Sequence, residues 1–227
     1  MLLAVVNKSH LITHDQVQAA IGACAKQVRL HLAPAWDMLP APVILYDDED
    51  KAPDGADLLV ILSDPGHAHA LGFHRETPRG KPYCRAFVQP ILNHGGSLLE
   101  GQLSVSATLS HEVCEWLVDP YLNLWANGPD GFYPVEVCDP VQNDSYEIDG
   151  VSVSNFVTKR YFDPLAPKRS QFDWMHKLKA PFSMTEGGYQ QVRKDGDIQT
   201  RYGARYPDWK RELHQFEAAR TARRLAA

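Results

Sequence analysis

No apolar run in this sequence approaches the roughly 18 residues that a membrane helix needs. Its opening, Met1-Leu2-Leu3-Ala4-Val5-Val6-Asn7-Lys8, has no basic leader and breaks its apolar stretch at Asn7. A cytoplasmic protein with no membrane partner is therefore expected. Basic excess is also missing: 23 Lys and Arg face 28 Asp and Glu, for a net charge of -5. A nucleic-acid partner is not expected, because phosphate recognition leaves a clustered basic footprint. The four cysteines, Cys24, Cys84, Cys114 and Cys138, show no CxxC spacing. That argues against a zinc ribbon or finger and for free thiols in a reducing compartment. Repeats and low-complexity linkers are absent. Positive charge is scarcest in the middle of the chain, where Arg85 is the only Lys or Arg between Lys81 and Lys159.

The 227 residues are 44% hydrophobic and 22% charged, which suits one packed domain with an elaborated periphery. Leu2–Val6, Pro42–Tyr46 and Asp57–Leu62 read as strands. Residues His14 to about Leu32 carry apolar positions three and four apart behind a Thr13 N-cap, the signature of a helix. Ser63–Lys81 reads as a loop and Arg85–Leu92 as an edge strand marked by Pro90. Leu103–Val118 reads as a helix stopped by Asp119-Pro120. Downstream come a hairpin with an Asp149-Gly150 turn, an extended stretch, a strand pair within Ser183–Tyr202 and a terminal helix from Pro207. The expectation is an α+β fold, with residues 1–165 as the main domain and 166–227 as a hairpin-and-helix extension packed on it.

Helix Leu103–Val118 carries the chemistry. His111 and Glu115 lie one turn apart on the same face, so an imidazole and a carboxylate can close on one metal ion. Glu112 stands beside His111, where the HExxH motif places the general base that takes a proton from the water the metal activates. Glu115 replaces the second histidine. Carboxylate oxygen is an accepted zinc ligand, and the more anionic set keeps Mn2+ or another divalent ion in consideration. A third ligand should come from downstream, and Asp119, Glu136 and Asp139 are the candidates, with Glu136 favoured. A solvated acidic helix face is the competing reading. The apolar neighbours Leu109, Val113, Trp116 and Leu117, and the missing basic partners, make a metal the natural counter-charge.

Lesser features complete the reading. His67, His69 and His74 could form a second metal cluster or line a cleft, though exposed loop histidines are the commoner case. Tyr146 and Tyr161 are candidate donors to an oxyanion, with Tyr161 kept as a catalytic candidate. Cys114 and Cys138 read as small packed hydrophobes and not as nucleophiles.

The run Leu109-Ser110-His111-Glu112-Val113-Cys114-Glu115-Trp116-Leu117-Val118-Asp119-Pro120, then Asn123-Leu124-Trp125, then Glu136-Val137-Cys138-Asp139, resembles an uncharacterised zincin-like group of metallopeptidases. It is more distantly similar to the plant phosphate-induced (exordium-like) proteins. The resemblance covers about residues 104 to 162. It implies a zincin-like fold with a small mixed sheet packed on the metal-binding helix. It also implies one Zn2+ held by His111, Glu115 and one or both of Glu136 and Asp139, with Glu112 as base. The expected function is a zinc metallopeptidase acting on a peptide or protein substrate. The alternatives are a non-catalytic, metal-stabilised binding protein and a metalloenzyme acting on a specific modified peptide or small molecule.

Overall fold

A computed structural model describes residues 1–64, 66 and 70–213. Its centre is a five-stranded sheet ordered β2-β1-β3-β5-β4, with β1 Leu3–Asn7, β2 Val43–Tyr46, β3 Asp57–Leu62, β4 Gly72–Glu76 and β5 Pro82–Phe87. The first four strands in that order run parallel, and β4 pairs antiparallel with β5 at the edge. The apolar run of β1 is buried on both faces, as parallel interior strands require.

Helix α1 (His14–Gln27) begins at a complete capping box. Thr13 accepts from the Gln16 backbone N–H, and the Gln16 side chain accepts from Thr13 N–H. It passes through a π turn, Val28–Leu32, into the short α2 (Ala33–Ala35). Helix α4 (Val105–Val118) is capped by Ser104, which accepts from Ala107 N–H. Its apolar side joins Val17, Ile21 and Cys24 of α1 and the sheet residues Leu3, Val5, Leu59 and Ile61 in one core. Gln27, fully buried, knits these helices together. Its Oε1 accepts from Ser110 Oγ at 2.6 Å, and its Nε2 donates to the Ser154 carbonyl at 2.7 Å.

The stretch expected to be an edge strand, Arg85–Leu92, divides differently. β5 lies inside the sheet between β3 and β4, and Val88–Asn93 forms α3. Pro90 sits in the first turn of that helix, where a missing N–H costs nothing. The edge on that side of the sheet is β4, which falls inside the segment expected to be a loop.

Hairpin β8 (Ser145–Ile148) to β9 (Val151–Ser154) turns at Asp149 and Gly150, both with positive φ, as a two-residue hairpin turn demands. β10 (Tyr189–Lys194) and β11 (Asp197–Tyr202) join β6 (Trp125–Asn127) and β7 (Phe132–Pro134) in a sheet ordered β11-β10-β7-β6. The segment after residue 165 thus shares a sheet with the segment before it. The tail is helical over 208–213, and the rest of the expected terminal helix lies outside the described residues, as do His67 and His69. The molecule is α+β, and no helix among the described residues is long and apolar enough to cross a membrane.

Candidate metal centre

α4 and the turn after β7 supply the anticipated residues. His111 Nε2 lies 3.2 Å from Glu115 Oε1, the one-turn pair on the helix, and 3.4 Å from Asp139 Oδ1. Asp139 opens a 3-10 turn, Asp139–Val141, which aims its carboxylate back at the helix. The Cys138 backbone N–H donates to Glu115 Oε1 at 3.2 Å, fixing that carboxylate against the same turn. Cys138 Sγ also lies close to His111 and Glu115, but burial pushes its thiol well above the ordinary range. Such a thiol is a packed group and not a ready nucleophile.

Strand β4 adds a residue that the motif does not contain. Along β4 the side chains alternate: Phe73 packs on Phe87 and carries the Arg75 guanidinium 4.3 Å from its ring centroid, while His74 faces α4. His74 is buried. Its Nδ1 lies 3.5 Å from Glu115 Oε2 and 3.8 Å from Glu112 Oε2, and its Nε2 lies 3.8 Å from Glu136 Oε2. Glu115 therefore spans two imidazoles, His111 on one oxygen and His74 on the other. Gly72 permits this close approach of strand and helix. A Cβ there would stand 2.6 Å from Glu112 Oε1 and 3.0 Å from Thr108 Cγ2.

The cluster is dense in buried negative charge. Glu112, Glu115 and Asp139 are all under a tenth exposed, and among the described residues only imidazoles lie within ion-pairing distance of them. Burial lowers His74 on its own, but Glu136, Glu112 and Glu115 outweigh it and carry the group up to about 10. His111 is likewise raised, by Glu115 and Asp139, against the pull of burial. Burial would raise Glu115, yet the two histidines hold it well below the ordinary carboxylate range. Asp139, pushed up by burial and by Glu115, stands at about 6. Burial raises Glu112 as well, the direction a general base requires.

These residues fit a divalent cation. With metal–donor lengths of about 2.0–2.2 Å, neighbouring donors in a tetrahedral set lie about 3.3–3.6 Å apart. The separations from His111 Nε2 to Glu115 and to Asp139 fall at or close to that spacing. His74 Nε2, buried and without a hydrogen bond, adds a donor within the same cluster.

The other candidates sit elsewhere. Asp119 stands at the end of α4, its two oxygens accepting from Asn123 N–H and Leu124 N–H at 3.1 and 2.9 Å. Tyr161 is enclosed among Phe162 and Phe182, its hydroxyl accepts from Gln190 Nε2, and it does not line the cleft above the cluster. Tyr146 hydrogen-bonds His31 and Gln27 behind the helices. The tyrosine at the cleft is Tyr189, whose hydroxyl donates to Asp139. The same cleft is lined by Gly72, His74, His111, Glu112 and Lys210. Sequence spacing signals His74 only as a loop histidine beside His67 and His69, in a second metal cluster or lining a cleft, and it does not signal Tyr189 or Lys210, because each reaches the site through the fold.

No protein-family description, no curated protein and no solved structure matches this chain.

Proposed function

We propose that the chain is a zincin-like, metal-dependent hydrolase that cleaves a peptide or amide bond, with zinc as the resident ion. The observation that carries the reading is that His111 Nε2 lies at donor–donor spacing from Glu115 and from Asp139, beside a buried Glu112. His111, Glu115 and Asp139 would hold the ion, with Glu136 and His74 beside them. When bound, such an ion polarises a carbonyl and makes water nucleophilic near neutral pH.

The chain's own groups supply the rest. Glu112, raised by burial, takes the proton from the attacking water and passes it to the leaving amine. Tyr189 steadies Asp139 through its hydroxyl. Strand β4 offers a template for an extended substrate. Its hydrogen bonds to β5 run through residues 71 and 77, with Phe87 N–H donating to the Leu71 carbonyl and Thr77 N–H to the Lys81 carbonyl. In an antiparallel ladder this alternation leaves the main-chain groups of Gly72, His74 and Glu76 pointing away from the sheet. A peptide adding to that edge would run past Glu112.

The test is hydrolysis of a peptide library by zinc-loaded protein. Glu112→Gln should retain its metal and lose on the order of a hundredfold or more in turnover. Full activity in that variant would refute the assignment of the base. Stoichiometric metal with no turnover of any peptide would favour the metal-stabilised binding protein instead.

A further inference from the structure

Lys210 is a buried cation in the lining of the cleft. The residue is 6% exposed, and its Nζ donates to Asn143 Oδ1 at 2.5 Å. Among the described residues it forms no ion pair with a carboxylate, and burial alone acts on it, lowering the ammonium to about 8. An ammonium has three donors; a neutral amide answers one of them here, and the Trp209 ring offers the ammonium its face at 5.6 Å from the centroid. Leaving the others in a poorly solvated recess is costly unless the recess receives an anion. Asn143 stands four residues beyond Asp139, so their Cα atoms are separated by at most roughly 14 Å of extended chain. That places the ammonium within about four residues of an extended substrate lying over the metal cluster.

We propose that Lys210, oriented by Asn143, is a specificity-determining residue that anchors a carboxylate of the substrate. This rests on the reading of the cleft as a peptide hydrolase's site and narrows its substrate to peptides that bring a carboxylate to Lys210. The two donors not spent on a hydrogen bond match the two oxygens of a carboxylate. A phosphate is ordinarily met by guanidinium forks or a ring of backbone N–H groups. The carboxylate could be a free C-terminus or an acidic side chain. A tether holding the 208–213 segment to the Asn143 turn is the competing role for the same contact.

The experiment is calorimetric titration of Glu112→Gln protein, which binds substrate without turning it over. The ligands are N-acetyl-triglycine as free acid, the same peptide as C-terminal amide, and N-acetyl-Gly-Glu-Gly-amide. The free acid or the glutamyl amide should bind about tenfold tighter than the triglycine amide, and the one that does identifies the source of the carboxylate. Adding Lys210→Met should abolish that preference, and Lys210→Arg should keep part of it. Equal affinities in the parent would overturn the proposal while leaving the hydrolase reading intact. So would a preference that survives Lys210→Met and disappears on chelation, which would place the carboxylate on the metal. The parent comparison stands even where Lys210→Met folds poorly. Loss of both metal and all peptide binding would instead count against the hydrolase reading itself.

Discussion

Gly72 and His74 show how few atoms set this centre. At Gly72 an added methyl would meet the Glu112 carboxylate and the Thr108 methyl, and the backbone there is not in a glycine-only conformation. Gly72→Ala is therefore expected to fold with a modest loss, about 1–3 kcal/mol, while displacing Glu112 and reducing turnover by a larger factor. Thermal unfolding beside peptide hydrolysis separates the two effects, and unchanged turnover would contradict the placement. His74 gives a pH prediction for the metal-free protein. Its pKa is raised from the ordinary 6.5 to about 10, so its stabilisation is complete below about pH 6.5 and is lost as pH rises through about 10. Asp139, raised from 3.8 to about 6, adds a loss of its own between about pH 4 and pH 6, on the acid side of the window set by His74. Chelated protein should lose stability across that alkaline window. Zinc-loaded protein should lose less, because the cation takes the place of the protons and its binding releases them. Melting temperatures of the two forms across the window check this, and parallel curves would count against it.

Elements hold these residues through buried polar ties as much as through the apolar core. Gln27 joins α1 to α4, β8 and β9 through four partner atoms, and Ser110 Oγ, which donates to it, also accepts from Ser154 N–H at 2.9 Å. Replacing Gln27 by Leu strips partners from polar groups on three elements and should cost about 2–4 kcal/mol. Thr13→Ala removes one cap contact and should cost about 1 kcal/mol. Denaturant titration orders the two, and a Gln27 variant no worse than the Thr13 variant would show that the network is not structural. Neither residue lines the cleft or stands among the proposed ligands, so metal content should stay unaltered in both.

Across the whole molecule, the legible parts of the sequence were those with local causes. The 3.6-residue periodicity and the caps gave α1 and α4 almost to their ends. The Asp149-Gly150 turn gave its hairpin, and helical spacing joined His111 to Glu115. Asp139 was narrowed to one of three, since only the turn after β7 shows that it, and not Asp119, faces the helix. Asp119 reads as a ligand by spacing, but its carboxylate accepts from the N–H groups of the turn that follows α4. β4 was hidden because five residues between Gly- and Pro-rich flanks carry no period worth reading. With β4 hidden, His74 reads as one of three loop histidines, able to form a second metal cluster or line a cleft, and not as a neighbour of Glu115. Lys210 lies far along the chain from the motif and meets it only through the folding of the tail. Metal should also couple these parts globally: a cation that binds the folded centre and not the unfolded chain raises the melting temperature as its concentration rises.

The central claim is that the buried carboxylates of α4 and its facing turn exist to hold one metal ion. Elemental analysis of the purified protein beside His111→Ala and Glu115→Ala tests it most directly. The account predicts about one zinc per chain in the parent and little in either variant, with both variants still folded. A parent that takes up no divalent ion even after reconstitution, or variants that keep it in full, would contradict the account.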